Sequence, residues 1–460
     1  MTSADSSTGS IIHQYPPGFR ARRGLNWFIL GGMYASFYML RYNFRWAAPF
    51  MEAEYGFKHA GIAAILSASS LAYGTGQLIN GLFCDRIGGR ASMLIGAVGT
   101  IAANCIFGFA SLPGTLSTFA LIWLMNGYFQ SFGAPGMVKI NAAWFNRSER
   151  GTFAGIFGLM IQLGQVAINN LAPIILAGFT LGTWVVAKND WHWLFRLPTL
   201  VTAVMAVLVA FIPRETPEQA GFPNCVKDES DSGGAHSDQV RVDMRQCFVT
   251  IFRHPLVWFY AIAYACTGAV RHSSDQLSVL FFVQYLHLDL SAKPASIAWT
   301  LNIVPLIAVV GSLVSGVVSD KVFRGRRAPV ALFLYFTLAV VCAAASVFMW
   351  MGLMLPSASG ILLSCLFMIL VSFAVNATHS LVGTAAPMDI GGRKMAGFAS
   401  GVIDSFQYYG AAIVLPVTGW LIDQYGWGTW YPVMVLFGII GGCSMLMVMR
   451  KQRRGTAAAA

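Results

Sequence analysis

Long apolar stretches separated by short polar segments run from about residue 26 to residue 449 of the 460-residue chain. They begin near residues 26, 60, 91, 117, 151 and 194, and again near 256, 295, 328, 360, 395 and 430. A hydrocarbon core of ~30 Å takes about 20 apolar residues at 1.5 Å per residue, so each stretch predicts one transmembrane helix. The only long polar stretch inside the chain, Arg214 to His254, falls after the sixth, and its Gly, Ser and Asp content suits a solvated linker. The pattern therefore predicts an N-terminal segment (1–25), a six-helix bundle (26–213), a linker (214–255), a second six-helix bundle (256–449) and a tail (450–460). The expected fold class is an all-α membrane protein of twelve spans.

Composition sharpens this picture. Charged residues make up 11% of the chain and apolar ones 56%, with a mean hydropathy of +0.61. Soluble domains carry roughly 25% charge, so lipid must face much of this surface and a soluble enzyme is excluded. The net charge of +11 sits in short clusters between spans, which suits membrane topology and gives no reason to expect nucleic acid. The eight cysteines form no CxxC pair, so no metal site, cofactor or disulfide framework is expected. The polar N-terminus has no cleavable leader pattern, so the first apolar segment is expected to stay as a span.

Lys and Arg fix the expected orientation. One side collects 23 of them, including Arg20, Arg22, Arg23, Lys139, Arg147, Arg150, the linker, Arg326, Arg327, Arg393, Lys394 and the tail; the other has only Lys58, Lys188 and Lys293. Both termini and the linker are thus expected in the cytoplasm. Four arginines remain within or beside spans: Arg41, Arg45, Arg196 and Arg271.

An internal repeat follows. Gly81-Leu-Phe-Cys-Asp85-Arg86-Ile-Gly88-Gly89-Arg90 after span 2 is echoed 235 residues later by Gly316-Val-Val-Ser-Asp320-Lys321-Val-Phe-Arg324 after span 8. Repeated halves are a mark of secondary transporters. Gly81, Asp85, Arg86, Arg90, Asp320, Lys321 and Arg324 are expected to form a cytoplasmic gate; the plainer alternative is that these loops only fix topology.

Arg41 and Arg271 each lie about fifteen residues into a span, roughly 22 Å deep, at equivalent places in the two halves. An arginine at that depth costs at least ~2.5 kcal/mol and marks a functional candidate. Two facing guanidinium forks make an anion clamp suited to phosphate; the alternative is that each snorkels or pairs with a fixed acid. Tyr34, Tyr38, Arg41 and Arg45 share one helix face, and Gln162, Gln165 and Asn169 share another in span 5. Both stripes either line the pocket or bond neighbouring helices. Asp275, one turn beyond Arg271, is a partner for Arg271 or Arg45, and His272 is a candidate to titrate near neutral pH. Asp404, one turn before Tyr408, is either a proton-coupling group or half of a packing ion pair. His379 and Arg196 read as helix-end or packing residues.

The duplicated loop with six plus six spans resembles the major facilitator superfamily. Within it, Tyr38-Met-Leu-Arg41-Tyr-Asn43-Phe44-Arg-Trp-Ala-Ala-Pro49 resembles the span-1 motif of the organophosphate:phosphate antiporters. Leu71-Ala-Tyr-Gly, Asn126-Gly-Tyr-Phe-Gln130-Ser-Phe-Gly133, Asn189-Asp-Trp-His-Trp, Ser319-Asp-Lys-Val-Phe-Arg-Gly and Tyr425-Gly-Trp extend the likeness along the chain. The resemblance assigns phosphate binding to Arg41 and Arg271, with Gln130 and Tyr408 as further candidate substrate contacts. Four positions depart from the pattern: Tyr42 stands where the glycerol-phosphate carriers have lysine, Ile161 at a histidine position, Ala134 at an aromatic one and Gln77 at a basic one.

The resemblance implies a rocker-switch antiporter, expected as a monomer in a bacterial inner membrane, that exchanges a small anionic organophosphate for inorganic phosphate. The alternatives are a proton-coupled symporter of a carboxylate or sugar acid, using Asp404, Asp275 or His272, and a ligand sensor of the same fold. No HExxH, GxSxG or P-loop set points to an enzyme.

Overall fold

The computed structural model describes residues 15–109, 113–146, 150–223, 253–292 and 294–459, without the side chains of 85, 150–157, 161, 181, 184, 384–400 and 454–459. Among residues considered above, Arg147, Lys227, Arg241, Arg245 and Lys293 lie outside the described residues. So do the side chains of Asp85, Arg150, Ile161, Arg393, Lys394 and Arg454.

Twelve α-helices stand in the described residues. The first half holds α1 (Phe19–Tyr55), α2 (His59–Ile87), α3 (Gly89–Phe109), α4 (Leu116–Gln130), α5 (Gly133–Trp144), α6 (Arg150–Ala177) and α7 (Trp193–Phe211). The second holds α8 (Pro255–Leu280), α9 (Ala295–Lys321), α10 (Arg327–Trp350), α11 (Ala358–Tyr425) and α12 (Trp430–Ala459). Eight helical stretches are long and apolar enough to cross a bilayer, in α2, α3, α6, α7, α9, α10, α11 up to Gly383, and Trp427–Arg453. The other spans are α1, the α4–α5 pair, α8 and the rest of α11. All four carry polar residues considered below, and α4 and α5 are each too short to span alone. Large apolar side chains such as Val98, Val204, Val340 and Leu362 are more than half exposed, as expected for groups that meet lipid.

Three details differ from the pattern. Span 4 is two helices, because Pro135 has no N–H for the Ser131 carbonyl one turn earlier; the Ser131 hydroxyl instead bonds Tyr128 O at 2.6 Å and accepts from Asn80 at 2.7 Å. Spans 10 and 11 share one helical element, α11, so no helix begins near residue 395. Arg393, Lys394, Met395 and Ala396 are all good helix formers, and polarity alone does not end a helix. A short antiparallel hairpin, β1 (Phe179–Leu181) with β2 (Trp184–Val186), turns at Gly182 with φ +61° between α6 and α7; three-residue strands are too short to read from periodicity.

Two glycines set the matching architecture of the halves. A Cβ on Gly164 of α6 would lie 2.1 Å from the Ala35 carbonyl oxygen of α1, and one on Gly410 of α11 would lie 2.1 Å from the Ala265 carbonyl oxygen of α8. Small residues let membrane helices cross this closely. Ala35 stands six residues before Arg41, and Ala265 six before Arg271. Each arginine-bearing helix is therefore pinned at the same distance from its arginine.

The halves touch along α2–α11, α6–α9 and α1–α8. Ser67 donates to Ala412 O at 2.5 Å, Asn169 to Leu301 O at 2.5 Å, and Asn170 to the Asn302 side chain at 2.9 Å. Among the described residues, most hydrogen bonds across the halves lie toward the face opposite the chain termini, with Thr75–Tyr409 at 3.3 Å an exception on the terminal side. We call the face opposite the termini the far face.

Candidate substrate-binding site

Arg41 projects from α1 between two rings, its guanidinium carbon 4.8 Å from the Tyr38 centroid and 4.3 Å from that of Tyr73 in α2. Its Nε donates to Gln130 Oε1 at the end of α4, at 2.9 Å. That amide is itself braced. Gln130 donates to Asn126 at 3.3 Å, Asn126 accepts from Asn104 at 3.1 Å and donates to Leu40 O, and Asn104 accepts from Asn43 at 3.0 Å. Buried amides satisfied in series in this way cannot move singly without leaving a partner unpaired. The break between α4 and α5 follows Gln130 directly, so the arginine's partner sits at a helix end held by Ser131.

Arg271, in the middle of α8, is buried, and its nearest polar partner is His379 of α11, with NH1 3.5 Å from Nε2. His379 Nδ1 lies 2.9 Å from the Tyr264 hydroxyl. Asp404 lies within hydrogen-bonding reach of Tyr264 and of Gln77 from the other half. The sequence reading treated His379 as packing; the structure makes it the arginine's neighbour. A histidine in mid-span was itself the available signal. Tyr38, Tyr42, Tyr408 and the Asp275 carboxylate lie near enough to Arg271 to act on it electrostatically, and Tyr34, Tyr38, Tyr73 and Tyr408 lie around Arg41. No carboxylate comes within ion-pair distance of either arginine among the described residues.

Arg45 is placed differently. It is fully buried, donating to Asn169 Oδ1 at 2.5 Å and to the backbone carbonyl of Asp275 at 2.9 Å. The Asp275 carboxylate takes the Tyr42 hydroxyl instead, at 3.2 Å. Arg45, Tyr42, Asp275 and Asn169 thus join the halves on the far side of the arginine pair. Tyr42, which replaces a lysine of related carriers, supplies a hydroxyl to the carboxylate in place of a charge.

A small cavity against Arg41 is lined by Ser69, Ser70, Tyr73, His272, Gln276 and Tyr408. His272 Nε2 and Gln276 Oε1 are buried with no hydrogen-bond partner among the described residues. Tyr34 reaches Tyr73, hydroxyl to hydroxyl, at 3.4 Å, and the Tyr73 and Tyr408 rings lie 4.3 Å apart across the halves. Gln162 Oε1 and Gln165 Nε2 in α6 are also without partners. Ser69, Ser70, Tyr73 and Gln276 were not picked out as site residues from sequence: the first three lie in an ordinary apolar helix, and only packing brings them to Gln276.

The repeated loops lie elsewhere. Arg86, Asp320, Lys321 and Arg324 are exposed on the terminal face, and a Cβ on Gly81 would meet nothing within 4 Å. Arg90 bonds its own half: its N–H donates to Glu215 at 3.1 Å and its guanidinium to Pro213 O at 3.4 Å. Arg196 closes a helix end, bonding Gly108 O at 2.6 Å.

Comparison with known proteins agrees in fold and in kind. A sequence model of the Major Facilitator Superfamily matches residues 30–393. The glycerol-3-phosphate transporter of Haemophilus influenzae is 27% identical, over 92% of this chain and 91% of that one. The phosphoglycerate transporter protein of Salmonella typhimurium is 24% identical over 93% and 90%, and the membrane sensor protein UhpC of Escherichia coli 26% over 90% and 88%. A bacterial homologue of the human lysosomal transporter Spinster superposes with a TM-score of 0.73 at 12% identity, covering 95% of this chain and 98% of that one; at that identity the likeness shows the fold alone.

Proposed function

Because the chain belongs to the Major Facilitator Superfamily, and its relatives include transporters of glycerol-3-phosphate and phosphoglycerate, we propose that it exchanges an organophosphate for inorganic phosphate. The observation that carries this reading is the arginine pair: the half-buried Arg41 and the buried Arg271 at corresponding places in the two halves, with no carboxylate within ion-pair distance of either among the described residues. A phosphate dianion supplies the missing charge to both, and planar forks on opposite sides suit its oxygens. Loaded, the site is neutralised. Empty, it leaves two cations in a low-dielectric interior, which makes reorientation costly. The carrier therefore crosses loaded in both directions, by rocking of the halves about the site. The bias of Lys and Arg toward the terminal face supports placing that face in the cytoplasm of a bacterial inner membrane.

A second reading draws on Asp404. Its path through Tyr264 and His379 to Arg271 suits proton-coupled uptake of a carboxylate or sugar acid. The two readings separate in binding. Inorganic phosphate and glycerol-3-phosphate should each raise the melting temperature of the purified protein, and Arg41→Ala with Arg271→Ala should abolish both shifts. Stabilisation by sugar acids but not by phosphate would favour the second reading.

A further inference from the structure

Four side chains meet at the far face, well away from the arginines. Glu52 lies near the end of α1, His59 opens α2, Gln284 lies in the π turn Phe281–Tyr285 after α8, and Asp423 lies near the end of α11. The Asp423 carboxylate accepts the backbone N–H groups of His59 at 3.0 Å and Ala60 at 2.9 Å, and its Oδ1 lies 2.6 Å from His59 Nδ1. On the other side of the ring, His59 Nε2 meets Gln284 Oε1, and Gln284 Nε2 donates to Glu52.

Only the nitrogen of the Gln284 amide can donate to Glu52, so its oxygen is what faces His59. Both ring nitrogens of His59 then face side-chain oxygens, Asp423 on one side and Gln284 on the other. The ring sits between Asp423 directly and Glu52 through one amide. The Asp423 side chain is 7% exposed, and the Trp427 ring covers His59 edge-on at 5.4 Å between centroids. Gly419 lets the α11 backbone approach: a Cβ there would come within 2.7 Å of the His59 carbonyl oxygen.

Glu52 and His59 belong to one half, Gln284 and Asp423 to the other. Every one of these hydrogen bonds crosses between the halves, so the network exists only while the far face is closed. We propose that it is the latch of that face, and that its opening is the step that exposes the site there. The proposal rests on the alternating-access reading above. Charged and polar partners suit a gate: each group returns to water when the halves part, so the closed state is favoured without being permanent.

The latch is testable at Ser67, which donates to Ala412 O on the same seam, deeper in the membrane. In reconstituted Ser67→Cys protein, the rate of alkylation by a maleimide, read at position 67 by peptide mass spectrometry, reports opening of the seam. Asp423→Asn in that background should raise the rate on the order of tenfold, about 1.4 kcal/mol and within what hydrogen bonds to charged groups contribute. Glu52→Gln leaves the α2 cap intact and should raise it by a smaller factor, which decides the matter if Asp423→Asn does not fold. An unchanged rate in folded Glu52→Gln and Asp423→Asn proteins would overturn the latch. A raised rate in a protein that exchanges no phosphate would keep the latch and remove only the cargo reading.

Discussion

The two arginines occupy matching places in matching halves, yet their surroundings differ. Arg41 is clasped by two rings and a braced amide; Arg271 has one long contact to a histidine. Symmetry fixes how deep each guanidinium lies, through Gly164 on Ala35 and Gly410 on Ala265. What each guanidinium touches is set by side chains that the two halves do not share. The difference suggests a division of labour, in which Arg41 is the preorganised anchor and Arg271 the arm that completes its coordination on the anion.

The sharpest test of that division replaces each fork by an ammonium. Arg271→Lys should raise the KM for phosphate about 100-fold, or about 2.7 kcal/mol, the loss expected when one partner of a buried, hydrogen-bonded charge pair is removed. Arg41→Lys should cost at least as much and should also lower stability, because it strands Gln130. Equal kinetics with no stability difference would mean that the anchor and the arm are the same. Next in size, Gln130→Ala should raise KM on the order of tenfold by freeing Arg41 Nε, as loss of a hydrogen bond to a charged group implies. His379→Gln should cost about threefold, since a 3.5 Å contact is at the weak end of hydrogen bonding. If His379→Gln cost more than Gln130→Ala, the proposed assignment would reverse. Smallest of all, Tyr38→Phe keeps the ring over Arg41 and should change KM about twofold, whereas Tyr38→Leu removes a cation–π contact of about 1–2 kcal/mol. Equal losses in the two variants would assign the role to the hydroxyl.

Much of this was legible in the sequence. Hydropathy marked the spans because lipid selects apolar side chains over about 20 residues. The 230-residue offset between Arg41 and Arg271, and the repeated loops, pointed to duplicated halves. The break after Gln130 was not seen, although Pro135 was there to mark it. The hairpin at Phe179–Val186 and the unbroken α11 lie below what hydropathy resolves. In the site, Arg41 and Arg271 stood out because charged groups at that depth are expensive, Tyr38 because it shares Arg41's helix face, and Gln130 through the family resemblance. The positions of His379, Tyr73 and Gln276 depend on which helices pack together, which one chain read in order does not state. Arg45 shows the same limit: its spacing puts it on the face of Arg41, but its two terminal nitrogens bond Asn169 and the Asp275 carbonyl.

Exchange itself is the central claim, and one experiment addresses it directly. Protein in proteoliposomes, with no pH gradient, is offered labelled phosphate outside, with unlabelled phosphate or buffer alone inside. An uncompensated arginine pair predicts rapid uptake only into phosphate-loaded vesicles, competed by organophosphates. Equally fast uptake into empty vesicles would contradict the account, since the carrier would then reorient with both guanidinium groups unpaired.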